Sequence, residues 1–189
     1  MRQTILIAFV ATALVACAKP LEVGTISEIR PDNGPPGVDV YAARRRAGEK
    51  VPDLAGDQLL DVRSYVAEVG PLGGDIRGEE FPGAKCFIKG RDFSAEAITP
   101  ARVRVPIYRL ESSPLSIACR HDDFHAKSVV LSIYNKTKAD RYAASSQGGL
   151  AGLVVMTAIN EMSDETKHEF AYPPARVLMT PLKPRTASR

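Results

Sequence analysis

Two-residue alternation of apolar and polar side chains, recurring at a spacing of about 12 residues, is the feature that most constrains how this chain can fold. From Gly83, the residues Ala84, Cys86 and Ile88 point one way. Lys-Gly-Arg-Asp then turns the chain, and Phe93, Ala95 and Ala97 start a return, so 83–98 reads as a hairpin. After a corner at Thr99-Pro100, Ala101, Val103, Val105 and Ile107 alternate with Arg102, Arg104 and Tyr108. That is a half-buried strand with a cationic outer face. Beyond the Ser112-Ser113-Pro114 turn, Leu115, Ile117 and Cys119 alternate with Ser116 and Ala118. His121-Asp122-Asp123 makes a polar tip, and Val129, Leu131 and Ile133 begin a strand ending near Asn135. Residues 59–69 fit helical or strand spacing, and Tyr65 with three valines favours a strand. Each such strand can bury one face only, so the expected class is mainly β: a compact antiparallel β-sandwich with one helix in its C-terminal half, preceded by a flexible tether.

The remaining segments set the boundaries. Residues 18–52 scatter proline and glycine with little periodicity and read as a tether with transient order. PLGGDIRGEEFPG reads as a loop. Leu150, Val154 and Ala158, with Leu153 and Thr157 alongside, fit one helix over 148–162, whose apolar run is too short to span a bilayer. Ala175 to Thr180 reads as a last strand, Val177 and Met179 on one face and Leu178 on the other. The expected division is therefore 1–16 signal peptide, 17–55 tether, 56–181 β-sandwich and 182–189 disordered basic tail.

At the N-terminus, Arg2 precedes an apolar run from Ile5 to Val15 and then Ala16-Cys17. About 11 apolar residues are too few for a membrane span of roughly 20, and fit the central region of a removable export signal. Leu14-Val15-Ala16-Cys17 resembles the lipobox of bacterial lipoproteins. The resemblance implies cleavage before Cys17, acylation of its thiol and attachment through two or three acyl chains, enough for stable anchoring. Ala18 after the cysteine, by the same resemblance, implies the outer membrane of a Gram-negative envelope, facing the periplasm. The resemblance thus implies a palmitate-bearing lipoprotein of the periplasm.

A formal charge of +3, falling to +2 once Arg2 leaves, argues against nucleic-acid binding. The basic clusters Arg44-Arg45-Arg46 with Lys50, and Lys183, Arg185 and Arg189, read as solvated segments or as contacts to anionic surfaces. With Cys17 committed to lipid, Cys86 and Cys119 remain. An oxidising compartment makes a disulfide between them the default expectation, against two buried free thiols.

Signals for chemistry are sparse. His121, Asp122, Asp123 and His125 offer possible metal ligands, His121, Asp123 and His125 being the candidates. Residues four apart share a face on a helix but not on an extended turn, so a solvated β-turn is the simpler reading. Asp164, Glu165, His168 and Glu169 form a second acidic cluster, read as an exposed helix end or loop. No nucleophile elbow, phosphate loop or dinucleotide fingerprint occurs. Gly148 and Gly152 permit close helix approach.

The stretches GAKC, FSAEAITPARVRVP and SPLSIAC, with the later GGLAGL and YPPARVLM, resemble small Gram-negative envelope lipoproteins that carry a PEGA or prealbumin-like β-sandwich. The resemblance covers about 100 residues and implies location and fold but little mechanism. The HDDFH tip departs from its plainer Gly-aromatic turn. The expectation is a membrane-anchored, non-catalytic interaction or structural module without cofactor, binding an envelope protein or polymer through its loops or the Arg102 and Arg104 face. The alternatives are a metal-assisted or carboxylate hydrolase of cell-wall material and a small-ligand or lipid carrier.

Overall fold

A computed structural model describes residues 19–145 and 164–183. Among these described residues twelve strands run in chain order: β1 (Thr25–Glu28), β2 (Arg30–Pro31), β3 (Gly56–Val69), β4 (Asp75–Phe81), β5 (Lys85–Lys89), β6 (Phe93–Ile98), β7 (Ala101–Ile107), β8 (Leu115–His121), β9 (Phe124–Leu131), β10 (Tyr134–Asn135), β11 (Phe170–Ala171) and β12 (Ala175–Met179). Among the described residues two helices accompany them, α1 (Ala42–Arg46) and α2 (Lys136–Ser145). The first sheet has the order β1-β7-β3-β12 with β4 on β3, and the second is β2-β6-β5-β8-β9. The protein is thus the mainly β sandwich that the alternation requires. No helix among the described residues is long and apolar enough to cross a membrane.

The core forms where the alternation points. Leu60, Val62, Val103, Val105, Val177 and Met179 from the first sheet and Cys86, Ile88, Ala95, Leu115, Ile117 and Cys119 from the second are buried in one cluster. Burying a side chain of this size stabilises the fold by about 1.5–3 kcal/mol. Cys86 and Cys119 oppose each other across β5 and β8 and are joined as a disulfide. The loop it closes separates the cysteines by 33 positions, worth roughly 3–4 kcal/mol in the chain-entropy account.

Four features depart from expectation. The segment expected as a tether over 17–55 joins the domain from Leu21, whose backbone N and O bond Glu80 and Arg63: β1 then lies parallel to β7, β2 pairs with β6, and Ile29, Val40 and Tyr41 are core residues. Its strands of four and two residues are too short to show a period. Second, PLGGDIRGEEFPG is not all loop, because β4 makes a hairpin with β3 around the Gly70–Gly74 turn. β4 is exposed along most of its length, so it carries no apolar alternation to detect. Third, β1 on β7 and β12 on β3 are parallel, in an otherwise antiparallel set of ladders. Fourth, β9 begins at Phe124, and the chain after β10 turns into α2, a helix of low apolarity. The expected helix over 148–162 and most of the tail over 182–189 lie outside the described residues, as do Cys17 and the signal segment.

Two polar networks tie the sheets together. Ala84 N donates to Thr99 Oγ1 at 3.1 Å, the Thr99 and Ser64 hydroxyls are 2.6 Å apart, and Ser64 Oγ donates to Phe81 O at 2.6 Å. A single proton arrangement satisfies the row, with the Thr99 hydroxyl donating to Ser64. Around α1, Arg45 donates to Asp39 at 2.8 Å, Tyr108 OH donates to Asp39 at 3.2 Å and accepts from Val40 N at 3.0 Å. Tyr41 packs on Tyr108 with ring centres 4.9 Å apart and hydrogen-bonds Asp92; burial, aided by that bond, pushes the pKa of its hydroxyl up to about 12.

Candidate functional site

Of the residues singled out for metal chemistry, His121 Nδ1 and Asp123 Oδ2 lie 3.9 Å apart, but His121, Asp123 and His125 are not assembled into one ligand set. The His121 ring stands edge-on to Phe81 and Phe124, with centroids 5.3 and 5.2 Å away, while Phe81 and Phe124 stack at 4.1 Å. His121 Nδ1 accepts from Asp123 N at 3.2 Å, closing the turn between β8 and β9. His125 N donates to Thr180 O and continues β9. His121 therefore serves as an aromatic packing residue, and no group of three or more His, Cys, Asp or Glu among the described residues is placed to hold a metal. In the second cluster, Asp164 caps a short 3-10 turn at Glu165–Lys167 by accepting from Thr166 N, a bond that together with the Thr166 hydroxyl holds its carboxyl below the ordinary value. His168 departs from the exposed reading. It is buried, with Nδ1 2.8 Å from the Asn135 amide nitrogen.

Arg102 and Arg104 both face outward from β7 as expected, but they do not form an open cationic face. Arg104 is held by Glu28 at 3.1 Å and Asp57 at 2.6 Å, because β1 lies alongside β7 and sets Glu28 opposite Arg104. The presence of β1 could not be read from the sequence, and with it went the neutralising carboxylate.

A cleft of about 480 Å³ at one end of the sandwich is lined by Arg109, Lys136, His168 and Glu169 among others. Its charges are largely answered internally, Lys136 by Asp140 at 2.8 Å and Glu169 at 3.5 Å. Arg109 holds a φ of 52° and donates to Thr166 O, which fixes the turn over the cleft.

The outer face of the second sheet differs. There a groove of about 1050 Å³ runs across β6, β5 and β8 and is bordered by β1. It lies outside the sandwich, and so offers no enclosed chamber between the sheets. The alternation that buries Cys86 and Ile88 necessarily turns Lys85 and Phe87 outward, and does the same for Glu96 and Ile98 on β6 and Ala118 and Arg120 on β8. Phe87 is 46% exposed, Ile98 56% and Ile26 55%. Registers place Ile98, Lys85 and Arg120 in one row across three strands, and Glu96, Phe87 and Ala118 in the next.

Lys85 and Arg120 are therefore directly opposed cross-strand neighbours of like charge, an arrangement that destabilises a sheet by some tenths of a kcal/mol. Arg30, at the rim, adds a third cation. Among the described residues none of the three makes an ion pair within 4.0 Å, whereas Arg63, Arg104 and Lys89 all do. Sequence reasoning put Lys85, Phe87 and Arg120 on outward positions of their strands, but it left Ile26 and Arg30 in the expected tether and missed the site. Only the strand register shows that two cations meet and that three large apolar groups flank them. Comparison of the chain with protein-family models, curated proteins and solved structures finds no match, so the chemistry of this face carries the functional reading.

Proposed function

We propose that this protein is an exported bacterial lipoprotein, held by acyl chains on Cys17 in the outer membrane facing the periplasm, whose folded domain works by binding. The single observation that carries the binding role is the outer face of the second sheet, where exposed Phe87, Ile98 and Ile26 surround Arg30, Lys85 and Arg120 without ion-pair partners among the described residues. Exposed apolar groups contiguous with unanswered charge mark an interaction surface. The lipobox-like Leu14-Val15-Ala16-Cys17 supports the anchor, and the Cys86–Cys119 disulfide suits an oxidising compartment. The PEGA-like motifs support the same placement. This surface replaces the Arg102 and Arg104 face as the candidate binding surface, Arg104 being occupied by Glu28 and Asp57.

Intact mass of the protein extracted from its native membrane tests the address. The expected mass is that of residues 17–189 plus acyl chains on the cysteine, gaining one hydrogen per sulfur of the Cys86–Cys119 bridge on reduction. An unacylated mass beginning at another residue would remove the lipoprotein reading.

A further inference from the structure

We propose that the outer face of the second sheet lies on the bilayer that holds the acyl chains, with Arg30, Lys85 and Arg120 on anionic phospholipid headgroups and Ile26, Phe87 and Ile98 at the boundary with the acyl region. The proposal takes its geometry from the lipid-anchor reading above, and three observations carry it.

The first is charge complementarity. Lys85 and Arg120 are set opposite each other by the register of β5 and β8, and among the described residues neither makes an ion pair. Glu96 lies one row away, diagonal to Lys85, and makes no ion pair with it. An anionic layer relieves the repulsion of a like-charge pair whose backbone positions the register holds opposite each other. The second is the mixture of residue types. Long basic side chains beside half-exposed Phe and Ile suit an interface where charge meets headgroups and apolar groups sink a few ångströms. The third is tether length. Thr25, which borders the groove, is eight residues from Cys17, about 28 Å of chain at most, and Leu21 is already held by Glu80 and Arg63, so the free stretch is shorter still. A domain held that close to its acyl chains keeps the groove within reach of the membrane surface, so docking is effectively intramolecular.

The test uses residues 18–189, which retain the whole core from Ile29 to Met179 and lack Cys17. Vesicles of phosphatidylcholine alone are compared with vesicles containing about a third phosphatidylglycerol, by flotation. Preferential binding to the anionic vesicles, released at about 0.5 M salt, is expected. A basic residue near an anionic surface raises partitioning about fivefold. Arg120→Glu, which sets a carboxylate opposite Lys85, should lower vesicle binding about tenfold or more while leaving the Tm equal or higher. Lys85→Gln should lower it about fivefold with the Tm maintained, and Arg102→Gln, on the other sheet, should leave it unchanged. Equal binding to both vesicle types, no effect of Arg120→Glu, an equal effect of Arg102→Gln, or loss of binding only in a variant that has unfolded would each overturn the proposal. So would self-association abolished by Arg120→Glu in a protein that binds no vesicles, which would assign the face to a second copy. Because the tested chain lacks Cys17, an unacylated native mass and a failure to bind vesicles are separate results, the first counting against the anchor and the second against this face.

Discussion

Asp39 shows how a residue outside any strand can hold the fold together. Burial pushes its carboxyl upward, but hydrogen bonds from Arg45, from Tyr41 N and from Tyr108 outweigh that, and the net value lies below the ordinary 3.8. The native state therefore prefers the ionised form. Its stabilisation is complete above the ordinary carboxylate value and is lost as pH falls through the lower native one. Asp39→Asn should lower stability by about 1–3 kcal/mol at pH 7, the range for charge-assisted hydrogen bonds left without a partner. Urea melts at pH 7 and at about pH 2.5 should show the difference between the two proteins shrinking in acid. A difference that stays constant with pH would mean that the carboxylate charge plays no part. None of this was legible beforehand: Asp39 sits among the glycines and prolines of a segment whose pattern suggested no packing, and its partners Tyr108 and Arg45 are respectively distant in sequence and part of a basic run.

At the scale of elements, what could be read was whatever alternated. β5 to β8 and β12 were visible because each buries one face and exposes the other, whereas the Cys86–Cys119 bridge was expected from the oxidising compartment and from the assignment of Cys17 to lipid. β1, β2 and β4 were invisible for the opposite reason, being short or exposed on both sides, so that their place is fixed by neighbours and not by their own pattern. The candidate site was half legible in the same sense. Outward positions of Lys85, Phe87 and Arg120 followed from alternation, but their adjacency depends on register, which only the assembled sheet supplies. Elements are also joined by polar contacts that carry no periodic signal. Ser64 on β3 and Thr99 at the corner between β6 and β7 link the first sheet to the second through fully buried hydroxyls. Ser64→Ala removes the acceptor of the Thr99 hydroxyl and the donor to Phe81 O, and should destabilise by about 1–3 kcal/mol in a denaturant melt. Thr99→Val, which adds an unpaired Ala84 N–H, should be at least as damaging. If both variants melt with the parent, the hydroxyl row is dispensable.

For the whole molecule, the N-terminal segment acts as a strap across the two sheets. β1 belongs to the first sheet and β2 to the second, and the chain crosses between them at Ile29, whose side chain is only 4% exposed. Val40 and Tyr41 follow it into the core, at 6% and 7% exposed. Each buried side chain of this kind contributes about 1.5–3 kcal/mol, so the three together amount to a large share of the 5–15 kcal/mol by which a domain is usually stable. The domain boundary is therefore testable by truncation. A chain beginning at Ala18 should melt cooperatively, because among the described residues the core begins at Ile29. A chain beginning at Gly56, the boundary that composition alone suggests, exposes the edges of β7 and β6 that β1 and β2 cover, and leaves Tyr108 and Arg104 without Asp39 and Glu28. Such a chain should be unfolded or aggregated at 25 °C, with loss of near-ultraviolet circular dichroism. Should it instead fold with the stability of the longer chain, the strap would be an accessory to a core complete without it, and the groove it borders would stand independent of the segment that leads to Cys17.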